Sequence, residues 1–77
     1  MPTVLRVKGY QFYFVSYDCR EPHHVHIDKD GNTAKFWLNP LTLAKNGGFR
    51  SVELREIERI IQDYHADLVA AWDAFCP

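Results

Sequence analysis

Three histidines lie within the six residues from His23 to Asp28, and histidine is the side chain whose charge changes most readily near neutral pH. Successive side chains of a β-strand point to opposite faces, so a strand here places His24, His26 and Asp28 on one face. The following Asp30-Gly31 pair is a strong signal for a two-residue hairpin turn. The sequence therefore predicts a β-hairpin that presents titratable groups on one face.

The returning strand of this hairpin is predicted at residues 33–38. A two-residue turn sets the register, and the predicted cross-strand pairs are His26 with Lys35, His24 with Trp37 and Asp28 with Thr33. The apolar side chains of both strands then share the other face, where they suit a core: Val25, Ile27, Ala34, Phe36 and Leu38.

One interpretation of the histidine row is a metal site. Two imidazoles on one strand face, those of His24 and His26, are suitable ligands for zinc or nickel. A third ligand would come from Asp28, from His23 or from a partner's His65. No cofactor is otherwise expected, and zinc is the metal that this interpretation implies.

A second interpretation is acid/base chemistry without a metal. His24 and His26 would take a proton from a ribose hydroxyl and give one to the leaving oxygen. Lys35 and Arg6 would then stabilise the charge of the phosphorane transition state. In a third interpretation these side chains are half-exposed strand residues packed against Trp37 and carry no chemistry. The spacing of the residues leaves all three open.

Aromatic side chains on the same face offer a binding role. Trp37 and Tyr13 could stack nucleic-acid bases, with Asp28 as the acidic group beside them. Cross-strand packing beneath a helix is the alternative explanation for both rings. Residues 1–50 carry seven Lys and Arg against four acidic residues, and residues 51–77 carry two against six. The resulting charge of +3 over the first part is only a weak field for phosphates.

The length of 77 residues predicts a single domain, residues 1–77, with a small core. The chain shows neither a secretory signal pattern nor an apolar run that could span a membrane, so no membrane association is expected. Cys19 and Cys76 are too few for a disulfide framework and are far apart in sequence. We expect them to be free thiols, which is consistent with a cytoplasmic location.

The predicted fold class is α+β, with a small, four-stranded and mostly antiparallel sheet made of two hairpins. The first hairpin covers residues 3–7 and 10–17 and turns at Lys8-Gly9. Asn39-Pro40 is typical of a helix start, so a short helix is predicted from there to Lys45.

The last predicted element is a long C-terminal helix packed on one face of the sheet. Ser51 is its N-cap, and apolar residues recur at helical spacing at positions 54, 57, 61, 64, 68, 72 and 75. About 24 residues span roughly 36 Å, which is longer than so small a sheet is wide. The helix therefore either breaks near residues 63–65 or projects. A projecting end would expose an apolar patch that favours a homodimer or a protein partner, formed by Tyr64, Leu68, Trp72 and Phe75.

Several motifs together resemble one family of small bacterial proteins. They are the Met1-Pro2-Thr3 start, Arg6, Glu21 to His26, Ala34 to Pro40, Gly48-Phe49 and Leu54 to Ile57. The family is known only as domain of unknown function forty-one sixty, and the resemblance covers essentially the whole chain. Its Pro-Pro-His-x-His element has His23 in place of the second proline here, so the resemblance assigns the functional pair to His24 and His26.

The family's genes are similar to those of two-gene toxin–antitoxin modules. The resemblance therefore implies a small cytoplasmic bacterial protein, a component of such a module, that acts through a cognate protein partner. Two alternatives stand beside it, and both use His24 and His26: a metal-independent RNA-cleaving toxin and a small metal-binding protein. The resemblance brings no activity with it, so the sequence leaves open whether the protein is an enzyme.

Overall fold

Five strands form one antiparallel sheet in the computed structural model, which describes residues 3–76 apart from the side chain of Asp18. The strands follow one another across the sheet in chain order, and their bounds are β1 Thr3–Val7, β2 Tyr10–Tyr13, β3 His24–Lys29, β4 Asn32–Leu38 and β5 Leu41–Gly47. A 3-10 helical turn, Ser16–Arg20, lies between β2 and β3, and two helices follow the sheet, α1 Ser51–Asp63 and α2 His65–Phe75. The predicted α+β class is confirmed, whereas the predicted number of four strands is wrong.

Both hairpin turns that the sequence predicts are present. Lys8 and Gly9 have φ angles of 53° and 82°, and Asp30 and Gly31 have φ angles of 52° and 82°. Positive φ at both central residues defines type I′ turns, whose twist matches that of the flanking strands and whose second position favours glycine. The second turn fixes the predicted register of β3 and β4. The strand predicted at residues 10–17 is shorter than expected, because β2 ends at Tyr13 and a 3-10 turn begins at Ser16.

The fifth strand replaces the short helix that the sequence predicts at residues 40–45. Asn39 and Pro40 are joined by a cis peptide bond and form the turn between β4 and β5. The prediction is wrong because an Asn-Pro pair is typical both of a helix start and of a tight turn. Leu41 and Leu43 lie opposite apolar residues of β4, so strand pairing extends the apolar face and decides between the two.

The N-cap of α1 is Arg50, one residue before the predicted Ser51. The Glu53 carboxylate accepts a hydrogen bond from the backbone amide of Arg50 at 3.0 Å, which satisfies a donor that the first helical turn leaves open. This hydrogen bond lowers the pKa of Glu53, and the nearby guanidinium of Arg50 acts in the same direction.

The predicted long helix is broken at Tyr64, which is one of the two alternatives that the length of its apolar stripe leaves open. The imidazole Nε2 of His65 lies 2.7 Å from the backbone carbonyl oxygen of Leu38, so the start of α2 is tied to the end of β4. Within the described residues, neither helix is long and apolar enough to cross a membrane.

The core lies between the apolar face of the sheet and the two helices. The strand residues predicted to form the core are buried, among them Val25, Ile27, Phe36 and Leu38. The helical stripe covers them, with Ile57, Ile61 and Leu68 buried and Leu54 half-buried. Aromatic side chains contribute much of the remaining volume, and those that are buried are Tyr10, Phe12, Phe14, Phe49 and Trp72. Two stripes with different periods, one on strands and one on helices, therefore meet as the sequence predicts.

The C-terminal end of α2 does not project from the fold. The Trp72 ring meets the Phe14 ring edge-on with centroids 5.2 Å apart, and Phe75 packs on Phe14 at 5.7 Å. Leu68 is 2% exposed and Trp72 is 3% exposed, whereas Tyr64 is 37% exposed. The expectation of a projecting end is wrong. The break at Tyr64 lets α2 pack its apolar side chains into the core, where the rest of the chain covers them. An interface built on Leu68 and Trp72 loses its physical basis, since neither side chain is left in water.

Cys19 and Cys76 form a disulfide, with their Cα atoms 5.4 Å apart, although 57 residues separate them in sequence. The expectation of free thiols is wrong because the 3-10 turn meets the C-terminal end of α2 at this point of the fold. The sequence argument for a reducing compartment rested on free thiols and no longer applies.

Candidate functional site

The polar face of the sheet carries the residues whose spacing suggests chemistry. All the predicted cross-strand pairs are present, which are His26 with Lys35, His24 with Trp37 and Asp28 with Thr33. Tyr13 of β2 pairs with His26, so a straight row crosses three neighbouring strands through Tyr13, His26 and Lys35. We call these three residues the polar row. Directly opposed residues on neighbouring strands are close enough for side-chain contact, and the hairpin register therefore assembles this row.

His24 lies at the start of β3 and is completely buried, with 0% of its surface exposed. Its ring centroid lies 5.2 Å from that of His26, so the two imidazoles lie side by side on the strand face that the sequence predicts for them. The rings of Trp37 and Trp72 lie 5.4 Å and 4.9 Å away, and Nδ1 lies 2.9 Å from the Pro22 carbonyl oxygen. Because His24 is enclosed in this way, it supports the position of His26 and does not face a ligand.

His26 is half-buried and is the histidine that the polar row presents at the surface. Its ring is stacked on that of Tyr13, with centroids 5.3 Å apart and 20° between the planes. The hydroxyl of Tyr13 donates a hydrogen bond to Oδ1 of Asp28 at 3.1 Å. Asp28 therefore fixes the phenol, and the phenol fixes the imidazole. The arrangement presents a proton-transfer and hydrogen-bonding group in one orientation.

Lys35 is held in place by two contacts. Its Nζ lies 2.7 Å from Oε1 of Glu21 and 4.4 Å from the centroid of the Trp37 ring. An ion pair and a cation–π contact each restrain a flexible ammonium, whose side chain here is 21% exposed. The same Glu21 oxygen lies 3.9 Å from Nδ1 of His24. The structure therefore places a positive charge beside His26 at a defined position.

Arg6 lies apart from the polar row. It pairs with Gln11 of β2, which pairs in turn with Asp28 of β3. Paired residues share a face, so Arg6 belongs to the polar face but lies on the edge strand at the level of Asp28. The structure therefore places Arg6 two strands away from His26, the residue it was expected to assist.

Among the side chains that the structure describes, no third metal ligand lies beside the two histidines. Within residues 3–76, no group of three or more His, Cys, Asp or Glu side chains is placed to hold a metal ion. Nε2 of His23 lies 2.7 Å from the carboxylate of Asp73, and His65 contacts the backbone at the end of β4. The zinc hypothesis therefore rests on His24 and His26 alone.

Two contributors to the site lie outside the hairpin and are not found from its alternation. Glu21, in the loop before β3, holds Lys35, and Trp72 of α2 packs against His24. A motif shared with the family is the sequence signal for Glu21. Trp72 was expected at an interface, because the spacing of a helical stripe does not show which surface it covers.

The fold and the site define a small α+β domain whose sheet packs against helices on one face and carries the polar row on the other. The chain belongs to the family described as Domain of unknown function (DUF4160), whose model matches residues 9–73. The matched range includes the whole polar row, and the resemblance seen in the sequence motifs is confirmed. No curated protein and no solved structure matches the chain.

Proposed function

We propose that the polar row binds single-stranded RNA and that the chain is the RNA-directed component of a two-gene toxin–antitoxin-like module. The observation that carries this proposal is the alignment of an aromatic ring, an imidazole and a cation on neighbouring strands, at Tyr13, His26 and Lys35. Trp37 adds a second ring in contact with Lys35. Proteins bind single strands with this combination, because bases stack on rings and cations neutralise phosphates.

The charge of the chain is divided unevenly, and the positive part is the part that forms the sheet. Residues 1–50 contain seven Lys and Arg and four acidic residues, which gives +3, and this part includes the whole sheet. The six acidic residues of the remaining part all lie in α1 and α2, whose buried residues belong to the core cluster on the apolar face. The excess of positive charge is therefore in the part of the chain that carries the polar row.

Binding accounts for the geometry better than cleavage by a histidine pair. Such cleavage needs one histidine at the ribose hydroxyl and the other at the leaving oxygen, and His24 has no exposed surface. His26 and Lys35 remain as a proton-transfer group and a charge that could stabilise a phosphorane. The RNA-cleaving alternative therefore depends on His26, and a test of binding has to include a test for cleavage.

The proposal keeps a cognate protein partner, because the resemblance to two-gene modules implies one. The helical stripe that was expected to bind this partner is largely covered by the chain itself, with Leu68 and Trp72 buried. The surface that receives the partner therefore lies elsewhere on the chain.

The test is the binding of a fluorescein-labelled oligouridine of about twelve nucleotides, a length within the usual range for one small domain, measured by fluorescence anisotropy. Trp37→Ala is expected to weaken binding about tenfold or more, because losing one base stack costs about 1–3 kcal/mol. Lys35→Ala is expected to weaken binding and to flatten its dependence on salt. Electrophoresis of the same RNA after incubation detects any cleavage.

Arg55→Ala is the matched control, because Arg55 is an exposed cation on α1 and lies outside the polar face. Circular dichroism verifies that each variant is folded. Variants at Lys35 and Trp37 that bind the oligouridine as well as Arg55→Ala does would show that the polar row and the adjacent Trp37 do not form an RNA site.

A further inference from the structure

The two edges of the sheet differ in what lies beside them. On the β1 side, Val4 and Leu5 line a small cleft together with Tyr64 and Leu68, so the start of α2 lies beside that edge. On the other side, every residue from Thr42 to Gly47 is exposed, and within the described chain β5 pairs with β4 alone. The outer edge of β5 therefore presents unpaired backbone donors and acceptors to solvent.

Natural edge strands are usually protected against pairing with another chain by charges, proline or bulges. β5 has one charged residue, Lys45, and no proline between Leu41 and Gly47. Lys45 pairs with Lys35 of β4, and Leu43 pairs with the next residue, Phe36. Ala44 therefore has no partner on β4 and forms a β-bulge. The run from Leu41 to Leu43 is regular, and it is open to an added strand.

The polar side of this edge carries a charge without a counter-charge. Lys45 lies directly opposite Lys35 on β4, and like charges in that arrangement destabilise a sheet. Glu21 pairs with Lys35, whereas Lys45 makes no ion pair with any residue that the structure describes. A carboxylate on the far side of Lys45 would relieve this repulsion.

The core side of the same edge is apolar and only partly covered. Leu43 lies opposite Phe36 and so shares its face, yet Leu43 is 40% exposed while Phe36 is 3% exposed. The apolar face of the sheet therefore continues past the part that is covered. An apolar side chain from an added strand would complete the cover over Leu43.

We propose that the β5 edge receives an extended, acidic and apolar segment of another protein, which adds to the sheet as a sixth strand. Backbone hydrogen bonds to the edge would supply affinity. An acidic side chain against Lys45 and an apolar side chain against Leu43 would supply specificity. A second copy of this chain is a poorer occupant, because β5 contains no acidic residue and would bring another Lys45. The proposal rests on the proposed function only where it identifies this segment with the cognate partner of the module.

The experiment uses two synthetic peptides, one that alternates valine with glutamate and one that alternates valine with lysine. Each is titrated into isotopically labelled protein, and backbone amide exchange is followed by NMR. The glutamate peptide is expected to bind and to slow exchange at residues 41–45, and the lysine peptide is expected not to bind. Lys45→Glu is expected to weaken the glutamate peptide at least tenfold and to allow the lysine peptide to bind.

Arg20→Glu is the control, because it makes the same change of charge at an exposed residue outside the sheet. Leu43→Thr keeps strand propensity, removes the apolar contact and is expected to weaken binding of the glutamate peptide as well.

Equal binding of both peptides, binding of neither, or slowed exchange at β1 instead of β5 would overturn the proposal. Protection of β5 that rises with protein concentration without peptide would identify a second copy as the occupant and overturn it too. RNA binding is read separately through Trp37→Ala, so the failure of one proposal leaves the other standing.

Discussion

The imidazole of His26 is stacked on the phenol of Tyr13, with 5.3 Å between the ring centroids and 20° between the ring planes. The phenol is itself fixed through its hydroxyl, which donates a hydrogen bond to the Asp28 carboxylate at 3.1 Å. The orientation of His26 therefore depends on Asp28 through an intermediate ring. The contributions of the hydrogen bond and of the ring stack can be measured separately. One substitution at Tyr13 removes the hydrogen bond alone, and another removes both.

Tyr13→Phe removes the hydroxyl and keeps the ring. It is expected to lower the free energy of unfolding by about 1 kcal/mol, the usual net value of one hydrogen bond, and to leave oligouridine binding nearly unchanged. Tyr13→Leu is expected to weaken that binding about tenfold, since a stacking platform is lost. Urea unfolding and fluorescence anisotropy measure the two effects. Equal loss of binding in both variants would mean that the hydroxyl, and not the ring, makes the contact.

Phe36 is 3% exposed and lies within the core cluster. Phe36→Ala is expected to lower the free energy of unfolding by about 3–5 kcal/mol, a large share of the stability of a small domain. Thr42→Ala changes an exposed residue on the neighbouring strand and is expected to stay within about 0.5 kcal/mol of the parent. Thermal and urea unfolding compare the three proteins. A Phe36→Ala protein that melts with the parent would contradict the placement of this ring.

The hairpins are predictable from the sequence because their signals are local. Asp30-Gly31 combines turn chemistry with strand alternation on both sides, and the same holds for Lys8-Gly9. The strand at Leu41–Gly47 is not predictable in this way, since Asn39-Pro40 suits a helix start as well as a turn. Pairing with β4 decides between them, and pairing is a property of the folded sheet.

In the candidate site too, local features are predictable from the sequence and long-range contacts are not. The distance between His24 and His26 follows from the two-residue repeat of one strand, and the sequence predicts it. The burial of His24 depends on Trp72, which approaches from α2 and lies 48 residues further along the chain. Contacts at such separations leave no periodic signal in the sequence. Only the fold therefore shows which of the two histidines reaches the surface.

Tyr10 makes stability depend on pH in the alkaline range. Burial, and then the nearby Glu56 carboxylate, raise the pKa of Tyr10 from 10.0 to about 12. Because the folded pKa lies above that of the unfolded chain, this contribution to stability is complete below pH 10 and is lost as the pH rises towards 12. The difference amounts to about 2 kcal/mol near pH 11.5.

Tyr10→Phe is expected to escape that loss, because phenylalanine does not titrate. Urea unfolding of the parent and of the variant at about pH 9 and about pH 11.5 measures the difference between them. All other residues are the same in both proteins, so their effects cancel in the comparison. Parallel losses of stability in the two proteins would contradict the raised pKa of Tyr10.

The disulfide between Cys19 and Cys76 joins the 3-10 turn to the end of α2 across 57 residues of chain. A cross-link over a loop of this length is expected to stabilise the fold by about 4 kcal/mol, because it restricts the unfolded chain. The double variant Cys19→Ser with Cys76→Ser should therefore unfold at a lower urea concentration than the oxidised parent. With a reductant present, the parent and the double variant should unfold at the same urea concentration, and this second measurement separates the cross-link from the effect of the serines.

A double variant as stable as the oxidised parent would show that the link adds nothing to the stability of the fold. The packing of Trp72 against Phe14 would then hold the end of α2 alone.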